Sequence, residues 1–376
     1  MKFIDLFAGI GGFRFGMESV GHECAAFCEI DKFARASYKA IHNTEGELEL
    51  HDITQVTDEE IRNIGHVDVI CGGFPCQAFS IAGHRRGFED TRGTLFFEIA
   101  RFAAILKPKY LFLENVKGLL NHDKGDTFET ILSALDELGY DVEWQVLNSK
   151  DFGVPQNRER VFIIGHLRGG RGRKVFPIGG NGAKIDCEQP KINKVGNIRK
   201  KGKSQSGAVV SVDSLAPTLC STTTQKDPLK ILLAGNLPGT HEQNGRVYDI
   251  NGISPTLNTM QGGGRQPKIR VREATKKGYA EATVGDSVNL AHPNSKTRRG
   301  RVGEGIANTL VTGDSQGVVT PNFRIRKLTP RECWRLQGFP DWAFDKAQEV
   351  NSNSQLYKQA GNSVTVNVIK EIARHL

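Results

Sequence analysis

The sequence predicts an α/β fold in which a doubly wound sheet with a parallel core is joined to a smaller, loop-rich β domain. Apolar runs alternate with amphipathic helical patterns from residue 2 to about residue 165, and this alternation is typical of a parallel sheet covered by helices. From about residue 170 to about residue 320 the chain is rich in Gly, Ser, Thr, Asn and Lys and has few helical periods. Helical patterning returns after Lys327.

Each predicted element follows from its local pattern. Strands are predicted at residues 2–7, 24–28, 67–71, 110–113 and 161–164, where short apolar runs end at turn-forming or polar residues. Helices are predicted from the Gly-rich turn after residue 8 through Val20, and at residues 31–41, 94–106 and 126–138. Thr329 is predicted to N-cap a helix that has Pro330 at its first position and Glu332 at its third, which is a capping box. We expect a last helix, residues 364–376, to pack on the first domain.

The composition is that of an ordinary soluble protein. It gives no sign of a secreted, membrane-spanning or disulfide-bonded protein. The 376 residues suffice for one large domain and a smaller one. We find no signal peptide and no apolar run of membrane-spanning length. The seven cysteines are odd in number and scattered without a C-x-x-C pair, so we expect neither a disulfide framework nor a metal site. We therefore expect a reduced, cytoplasmic setting.

The net charge of +8 is unevenly distributed along the chain. Residues 171–204 contain ten Lys or Arg against Asp186 and Glu188, and a second basic cluster spans residues 296–301. Basic segments rich in Gly, Ser and Asn suit a phosphate backbone. A solvated loop without a partner is the alternative.

Reactive and charged side chains lie at the ends of three predicted strands. Cys76 follows the strand at 67–71, Glu114 follows the strand at 110–113, and Arg158 and Arg160 precede the strand at 161–164. In an open α/β sheet, ligands bind in the crevice at the carboxyl ends of the strands. A lone cysteine is more often a buried structural residue. A thiol, a carboxylate and a guanidinium at three strand ends together indicate an active site.

The turn after the first strand has the features of a cofactor-binding loop. Residues 5–12 read Asp-Leu-Phe-Ala-Gly-Ile-Gly-Gly and lead into a helix, whose N-terminus favours an anionic group. The loop departs from the dinucleotide fingerprint G-x-G-x-x-G. Glu29 ends the second strand, where an acidic residue often accepts hydrogen bonds from ribose hydroxyls, and Asp52 could hold an adenine amino group. An adenosine ligand without phosphate suits this set, and S-adenosylmethionine fits best.

A weak internal repeat marks the middle of the chain. Ser-Leu-Ala-Pro-Thr-Leu at 214–219 recurs in related form at 252–257 and at 305–310. The unequal spacing excludes a solenoid. A recurrent turn leading into a strand and a repeated nucleic-acid contact both explain the repeat.

Five motifs in order carry a family resemblance. The segments 7–12, 73–77, 114–116, 156–160 and 359–364 resemble those of the DNA (cytosine-5)-methyltransferase family, in its bacterial restriction-modification form. The resemblance implies a Rossmann-like, S-adenosylmethionine-dependent methyltransferase sheet with a smaller loop-rich β target-recognition domain. It divides the chain into a catalytic and cofactor-binding domain at 1–168, a target-recognition domain at 169–322, and a return to the catalytic domain at 323–376.

The resemblance also implies roles for individual residues. Cys76 would be the nucleophile, Glu114 the acid that engages the cytosine ring and Arg160 its partner, while Arg158 would support the pocket or bind phosphate. The cofactor would be held by Phe7, Ala8, Gly9, Gly11, Gly12, Glu29, Ile30, Asp52, Ile53, Phe74, Pro75, Leu95, Asn362 and Ser363. Ile30 departs from the aromatic residue often found in the family at that position.

The same resemblance assigns a set of DNA contacts. These are Gln77, Ser80 and Arg85 in a loop that closes over DNA, and Gln243, Arg246 and Thr256 in a recognition segment. Gln243 would fill the space left by a flipped base. We expect a monomer that acts on double-stranded DNA; whether a cognate restriction endonuclease exists is left open by the sequence, and such an enzyme would share the site without a stable complex.

Two other functions compete with this interpretation. A methyltransferase of the same fold could act on tRNA, but the long basic middle region favours duplex DNA. A non-enzymatic DNA-binding protein could keep the fold, but the intact set of Cys76, Glu114 and Arg160 argues against it.

Overall fold

The structure is a computed structural model that describes residues 1–75, 95–170, 174–179, 194–197, 208–210, 247–248, 268–292, 295, 297–313, 315–321 and 324–376. A seven-stranded sheet forms its centre. The strands are β1 (Lys2–Leu6), β2 (Glu23–Cys28), β3 (Leu48–Leu50), β4 (Val69–Gly73), β5 (Tyr110–Val116), β6 (Tyr140–Asn148) and β7 (Glu159–Leu167). Their order is β3-β2-β1-β4-β5-β7-β6. This arrangement confirms the predicted α/β fold.

Strand direction determines which residues meet at one edge of this sheet. Strands β1 to β5 pair in parallel, whereas β7 runs antiparallel to both β5 and β6. The carboxyl ends of β1, β2, β4 and β5 therefore lie beside the amino end of β7. Glu114 pairs with Gly73 on one side, and Val116 pairs with Arg160 on the other.

Helices cover both faces of the sheet. They are α1 (Gly12–Glu18), α2 (Lys32–Ile41), α3 (Asp58–Asn63), α4 (Leu95–Leu106), α5 (Asp126–Glu137) and, near the end of the chain, α9 (Val366–Ala373). Helices α4 and α5 contribute to an apolar core on one face. On the other face α9 packs against α1, where Ile369 and Ile372 share a core with Phe13 and Met17. The predicted docking of the last helix is thereby confirmed, although the helix is shorter than predicted.

Three further helices build a third core beside α1 and α2. These are α6 (Pro330–Leu336), α7 (Asp341–Val350) and α8 (Asn353–Asn362), and fully buried Trp334 lies at their centre. The predicted capping box at Thr329 is present, with reciprocal bonds between Thr329 and Glu332. This packing places the residues after α8 next to the edge of the large sheet.

Short strands form separate small sheets in the middle of the chain. They are β8 (Lys194–Asn197), β9 (Ala208–Val210), β10 (Val247–Tyr248), β11 (Lys268–Arg272), β12 (Tyr279–Ala282), β13 (Ser287–Asn289), β14 (Val302–Gly303), β15 (Gln316–Val319) and β16 (Ile325–Lys327). A small apolar core includes Ile269, Val271 and Val288. These sheets are mostly antiparallel and fit a recognition domain.

One member of the second basic cluster has a different role from the one its sequence suggests. Arg301 is buried and donates to the main-chain oxygens of Asn289 and Arg272. It therefore supports the small sheets and is not free to meet a phosphate. The other basic cluster, at residues 171–204, lies outside the described residues except for 174–179 and 194–197.

The region after residue 168 also touches the large sheet. The main-chain N–H groups of Val175 and Phe176 donate to the Glu143 carboxylate on β6, and that of Ile178 donates to Gln145. The predicted domain bounds remain a prediction. Within the described ranges, no helix has the length and apolar character needed to span a membrane.

Candidate active site

A cavity of about 400 Å³ lies at the edge where the strand ends meet. It is lined by Phe7, Gly9, Ile10, Glu29, Asp31, Ala34, Gly73, Phe74, Pro75, Glu114, Asn115, Val116, Arg158, Arg160, Lys358, Gln359, Gly361 and Asn362. The lining comes from β4, β5, β7, the segments that follow β1, β2 and β4, the first turn of α2 and the end of α8. The structure therefore brings most of the sequence-predicted strand-end residues together around one space.

Glu114 is the buried carboxylate at the base of this cavity. Its residue surface is 8% exposed. Burial raises the pKa of Glu114, while the nearby guanidinium groups of Arg160 and Arg158 act in the opposite direction. Gly73 leaves room for the carboxylate, because a Cβ atom on Gly73 would lie 3.2 Å from Glu114 Oε2. The site can thus hold a carboxyl group that keeps its proton at a higher pH than an ordinary glutamate does.

Arg160 is the direct partner of Glu114. Its Nε lies 3.0 Å from Glu114 Oε1, and its Nη1 donates to the Glu159 carbonyl at 2.7 Å. Both side chains are mostly buried, and both line the cavity. A planar guanidinium fixed in this way can orient a carboxyl group and still offer N–H donors to a ligand.

Arg158 lines the cavity and is almost completely buried. It is 3% exposed and donates to three main-chain oxygens: those of Leu310 at 3.2 Å, Gly361 at 3.1 Å and Ser363 at 2.8 Å. Burial lowers the pKa of Arg158 to about 9. These contacts favour the role of support for the pocket. A phosphate contact, the other predicted role, is less favoured because the guanidinium is buried against carbonyl groups; both roles remain predictions.

Asn115 fixes the main chain that leads to Cys76. Its Nδ2 donates to the Phe74 carbonyl at 2.9 Å, and the side chain is buried. The loop of Phe74 and Pro75 thereby stays against the end of β5. Cys76 itself, with Gln77, Ser80 and Arg85, lies outside the residues that the structure describes, as do Gln243, Arg246 and Thr256.

The loop after β1 reaches the cavity through only part of its length. Phe7 and Gly9 line the cavity, and both have a φ of +56°. A Cβ atom on Gly9 would meet nothing within 4 Å, so the main chain at Gly9 faces open space. The Gly9 N–H donates to Glu29 Oε2 at 2.7 Å. The loop conformation and the position of Glu29 are therefore coupled.

Glu29 is held at the end of β2 by two main-chain donors. Besides the bond from Gly9, its Oε1 accepts from the N–H of Asp31 at 2.8 Å. Burial raises the pKa of Glu29, although both main-chain hydrogen bonds favour its ionised form. A carboxylate placed in this way keeps lone pairs for hydroxyl donors of a ligand.

Several residues predicted to hold a cofactor have close contacts within the loops around the cavity. A Cβ atom on Gly11 would lie 2.2 Å from His42 Nε2, and one on Gly12 would lie 2.7 Å from Val364 Cγ2. The side chains of Ala8 and Ile53 are buried in apolar cores. The Ser363 hydroxyl donates to the Val364 carbonyl. None of these five belongs to the described cavity lining.

Three other predicted cofactor residues, Ile30, Asp52 and Leu95, are not part of the described cavity lining. Asp52 Oδ1 accepts from the N–H and hydroxyl of Thr54 at 3.0 and 2.7 Å. Ile30 is 65% exposed, and Leu95 begins α4 partly buried against the core. Asn362, in contrast, is in the described lining together with Phe74 and Pro75. The cofactor role of each residue remains a prediction.

Two lining contacts were not predicted from the sequence. Lys358 Nζ pairs with Asp31 Oδ2 at 2.7 Å. Gln359 accepts from Ser37 Oγ at 3.1 Å and donates to the Phe33 carbonyl at 3.1 Å. These contacts attach α8 to the start of α2 across more than 300 positions of sequence. The motif that contains Gln359 is recognisable in the sequence, whereas nothing in the sequence indicates that Lys358 pairs with Asp31.

The cavity fits the predicted cofactor in size and in chemistry. Its volume lies within the range of small-molecule sites. It combines a carboxylate at Glu29, open main chain at Gly9 and the aromatic side chains of Phe7 and Phe74. An adenosine ligand with a charged amino-acid tail needs both hydrogen-bond acceptors and apolar surface, and this lining provides both.

Comparisons with known proteins agree with this geometry. The family model for C-5 cytosine-specific DNA methylase matches residues 1–376. The chain is 36% identical over 433 residues to orphan methyltransferase M.SPRI of Bacillus phage SPR, covering 100% of this chain and 97% of that protein. It is 36% identical over 379 residues to type II methyltransferase M.HhaI of Haemophilus parahaemolyticus, covering 100% and 94%.

A solved structure extends the similarity to the fold. DNMT2 of Spodoptera frugiperda aligns with a TM-score of 0.52 and 17% identity, covering 100% of this chain and 98% of that one. At this identity the likeness concerns the fold alone.

Proposed function

Because the chain belongs to the C-5 cytosine-specific DNA methylase family and is a DNA (cytosine-5)-methyltransferase, we propose that it methylates cytosine flipped out of duplex DNA. S-Adenosylmethionine would be the methyl donor, and a covalent adduct would form between Cys76 and C6. The observation that supports this mechanism best is the buried pair of Glu114 and Arg160, with Nε and Oε1 3.0 Å apart. The pair lies at the base of a cavity whose wall, at Phe74 and Pro75, leads directly to Cys76.

In this mechanism Cys76 and Glu114 act together on the ring. The Cys76 thiolate forms a bond to C6, and the electron pair displaced from the ring double bond makes C5 nucleophilic. Negative charge also develops toward N3 and O2. Glu114 in its protonated form donates to N3, and Arg160 stabilises O2 and orients the Glu114 carboxyl. The raised pKa of Glu114 suits this role.

S-Adenosylmethionine, when bound, supplies an electrophilic methyl group to C5. Loss of the C5 proton to a base then restores the double bond and releases the Cys76 thiolate. Glu29 would accept from the ribose hydroxyls, while Phe7, Gly9, Phe74 and Asn362 would line the rest of the binding space. Asp52 remains the candidate for the adenine amino group, and Ile30 lies exposed beside Glu29.

Duplex DNA is the substrate that we propose for this chemistry. A stacked cytosine cannot reach Glu114, so the base must leave the helix at a cost of a few kcal/mol. Basic segments of the middle region would offset part of this cost through phosphate contacts, and base-edge contacts would set the sequence read. We propose that the protein acts as a monomer, and that any restriction endonuclease sharing its site acts without a stable complex.

A methylation assay with labelled S-adenosylmethionine tests this proposal. Duplex DNA and total tRNA are incubated in parallel with the purified chain, and bisulfite sequencing locates the modified cytosines. We expect label in DNA at one short sequence motif. Label in tRNA alone would support the related tRNA activity, and label in neither would exclude methyl transfer as the function.

A further inference from the structure

The third copy of the Thr-Leu repeat lies against the candidate active site. Residues 307–311, which we term the junction segment, run beside residues 155–158 just before β7. The other two copies, around Thr218 and Thr256, lie outside the described residues. We propose that the junction segment is a positioning element that braces two walls of the catalytic cavity and does not contact nucleic acid. The proposal rests on the proposed methyltransferase function.

Five hydrogen bonds join the junction segment to the loop before β7. The N–H of Asn157 donates to the Ala307 carbonyl, and the N–H of Ala307 donates to the Pro155 carbonyl, each at 2.8 Å. The N–H of Leu310 donates to Gln156 Oε1 at 3.1 Å, and the Thr309 hydroxyl donates to the Asn157 carbonyl at 2.6 Å. Arg158 Nη1 completes the set by donating to the Leu310 carbonyl at 3.2 Å.

Gln156 extends this junction to the C-terminal helices. Its Nε2 donates to the Leu336 carbonyl at 2.8 Å, and Gln156 is fully buried. Gln337 donates in turn to the Ala360 carbonyl at 2.7 Å. The junction segment is therefore attached to a buried polar network that reaches the end of α8.

The same segment touches the opposite wall of the cavity. A Cβ atom on Gly361 would lie 2.4 Å from Val311 C, so the two main chains are in close contact at a position where only glycine fits. Arg158 binds the carbonyl groups of Gly361 and Ser363 as well as that of Leu310. Arg158 and Gly361 both line the cavity. A shift of the junction segment would therefore be transmitted to both walls.

Two apolar side chains of the junction segment, Ala307 and Leu310, face the protein, whereas Val311 is exposed. Leu310 is 4% exposed and belongs to the same apolar core as Trp334 and Ile10. Ala307 is buried, and the Thr309 hydroxyl is used by the Asn157 carbonyl. Thr309 thus lacks a free donor for a phosphate oxygen. Of the two explanations of the repeat, these contacts favour a structural one for this copy.

The link to catalysis runs through β7. Residues 155–158 enter this strand, and Arg160, two residues beyond Arg158, holds the Glu114 carboxylate. Removing the Thr309 hydroxyl leaves the Asn157 carbonyl without that donor and loosens the entry to β7. We expect the chemical step to slow while the affinity for DNA and the sequence methylated stay the same.

Substitutions at Thr309 test this proposal. Thr309→Val removes the hydroxyl at nearly constant shape, and Thr309→Ser keeps it. Thr320→Val is the matched control, because its hydroxyl also donates to a main-chain carbonyl, that of Arg324 at 2.9 Å, away from the cavity. We expect Thr309→Val to lower kcat about fivefold to tenfold with unchanged KM for DNA. Thr309→Ser and Thr320→Val should remain near the wild-type rate.

Two further measurements separate this inference from its alternatives. Amide hydrogen exchange should become faster at residues 155–160 and 359–363 in Thr309→Val, whether or not the chain methylates DNA, so failure of the proposed function would be seen separately. If Thr309→Val unfolds, Thr309→Ala replaces it. A changed methylated motif would make Thr309 a base contact, and a shallower salt dependence of DNA binding would make it a phosphate contact. Either result, or unchanged kcat and exchange, would overturn the proposal.

Discussion

Replacing Glu114 by glutamine should remove the acid from the reaction while preserving the shape of the site. Glutamine cannot donate a carboxyl proton to N3 of cytosine, so we expect the chemical step to slow by about 10²- to 10⁴-fold. This range corresponds to about 3–5 kcal/mol in the activation barrier. The affinity for S-adenosylmethionine should change little, because Glu29, on a different strand, is the predicted contact to its ribose.

The structure also indicates how the substitution affects stability and pH dependence. Arg160 Nε lies 3.0 Å from Glu114 Oε1, and loss of this charged hydrogen bond should cost about 1.5–3 kcal/mol. Burial raises the pKa of Glu114, so the wild-type acid keeps its proton to higher pH than usual and loses it as the pH rises further. The wild-type rate should therefore decline on the alkaline side. The glutamine variant should lack that decline, because it has no proton to lose.

Single-turnover methylation at saturating DNA, measured from low to high pH, is the suitable assay. Glu143→Gln is a matched control, since Glu143 is also a mostly buried sheet carboxylate, bonded to His166 Nε2 at 2.8 Å and remote from the cavity. The control should lose stability and keep the rate of the chemical step. If Glu114→Gln abolishes cofactor binding by calorimetry, or slows the step by less than threefold, the assignment of Glu114 as the acid is wrong.

Three other substitutions address the nucleophile, the cofactor and the recognition segment. Cys76→Ser should abolish turnover and leave DNA binding largely intact. The wild-type protein should form a covalent adduct with DNA that contains 5-fluorocytosine. The control variant Cys333→Ser should still form this adduct, because Cys333 is buried and burial raises the pKa of its thiol to about 12. Glu29→Ala should weaken S-adenosylmethionine binding about 10- to 150-fold without changing the methylated motif, and unchanged affinity would exclude Glu29 from the ribose site. Arg246→Ala should relax the motif at a cost of about 1–3 kcal/mol, whereas Lys200→Ala should weaken binding to all sequences; a variant of Arg246 that keeps the wild-type motif would contradict its assignment.

The sequence predicted those parts of the fold whose signals are local. A few neighbouring residues are enough to recognise the apolar runs of β1, β2, β4 and β5 and the capping box of Thr329. All of these elements are present in the structure. β6 was missed because its exposed and buried positions are mixed and its charged residues resemble a loop. The direction of β7 has no local signal either, yet this direction brings Arg160 beside Glu114.

In the candidate site, too, the residues in local motifs could be predicted and the contacts between distant segments could not. Glu114, Arg160, Glu29 and Phe7 stand in recognisable motifs, and the structure places all four around one cavity. The sequence could not show which glycine after Phe7 faces the cavity and which is needed for packing. Gly9 faces open space, whereas a Cβ atom at Gly11 would clash with His42. Contacts between distant segments, such as Thr309 with Asn157, depend on packing that no local pattern records.

The contact between α1 and α9 has a consequence for the synthesis of the chain. Phe13 and Met17 are made before the whole middle region, while Ile369 and Ile372, which cover them, are made after it. At typical rates of translation, the apolar surface of α1 therefore stays exposed for roughly tens of seconds before α9 is made. Chaperones that bind exposed apolar surface would be needed longest at this surface of α1. Methylating activity should emerge only once residues 366–373 have left the ribosome, so no partly made chain modifies DNA.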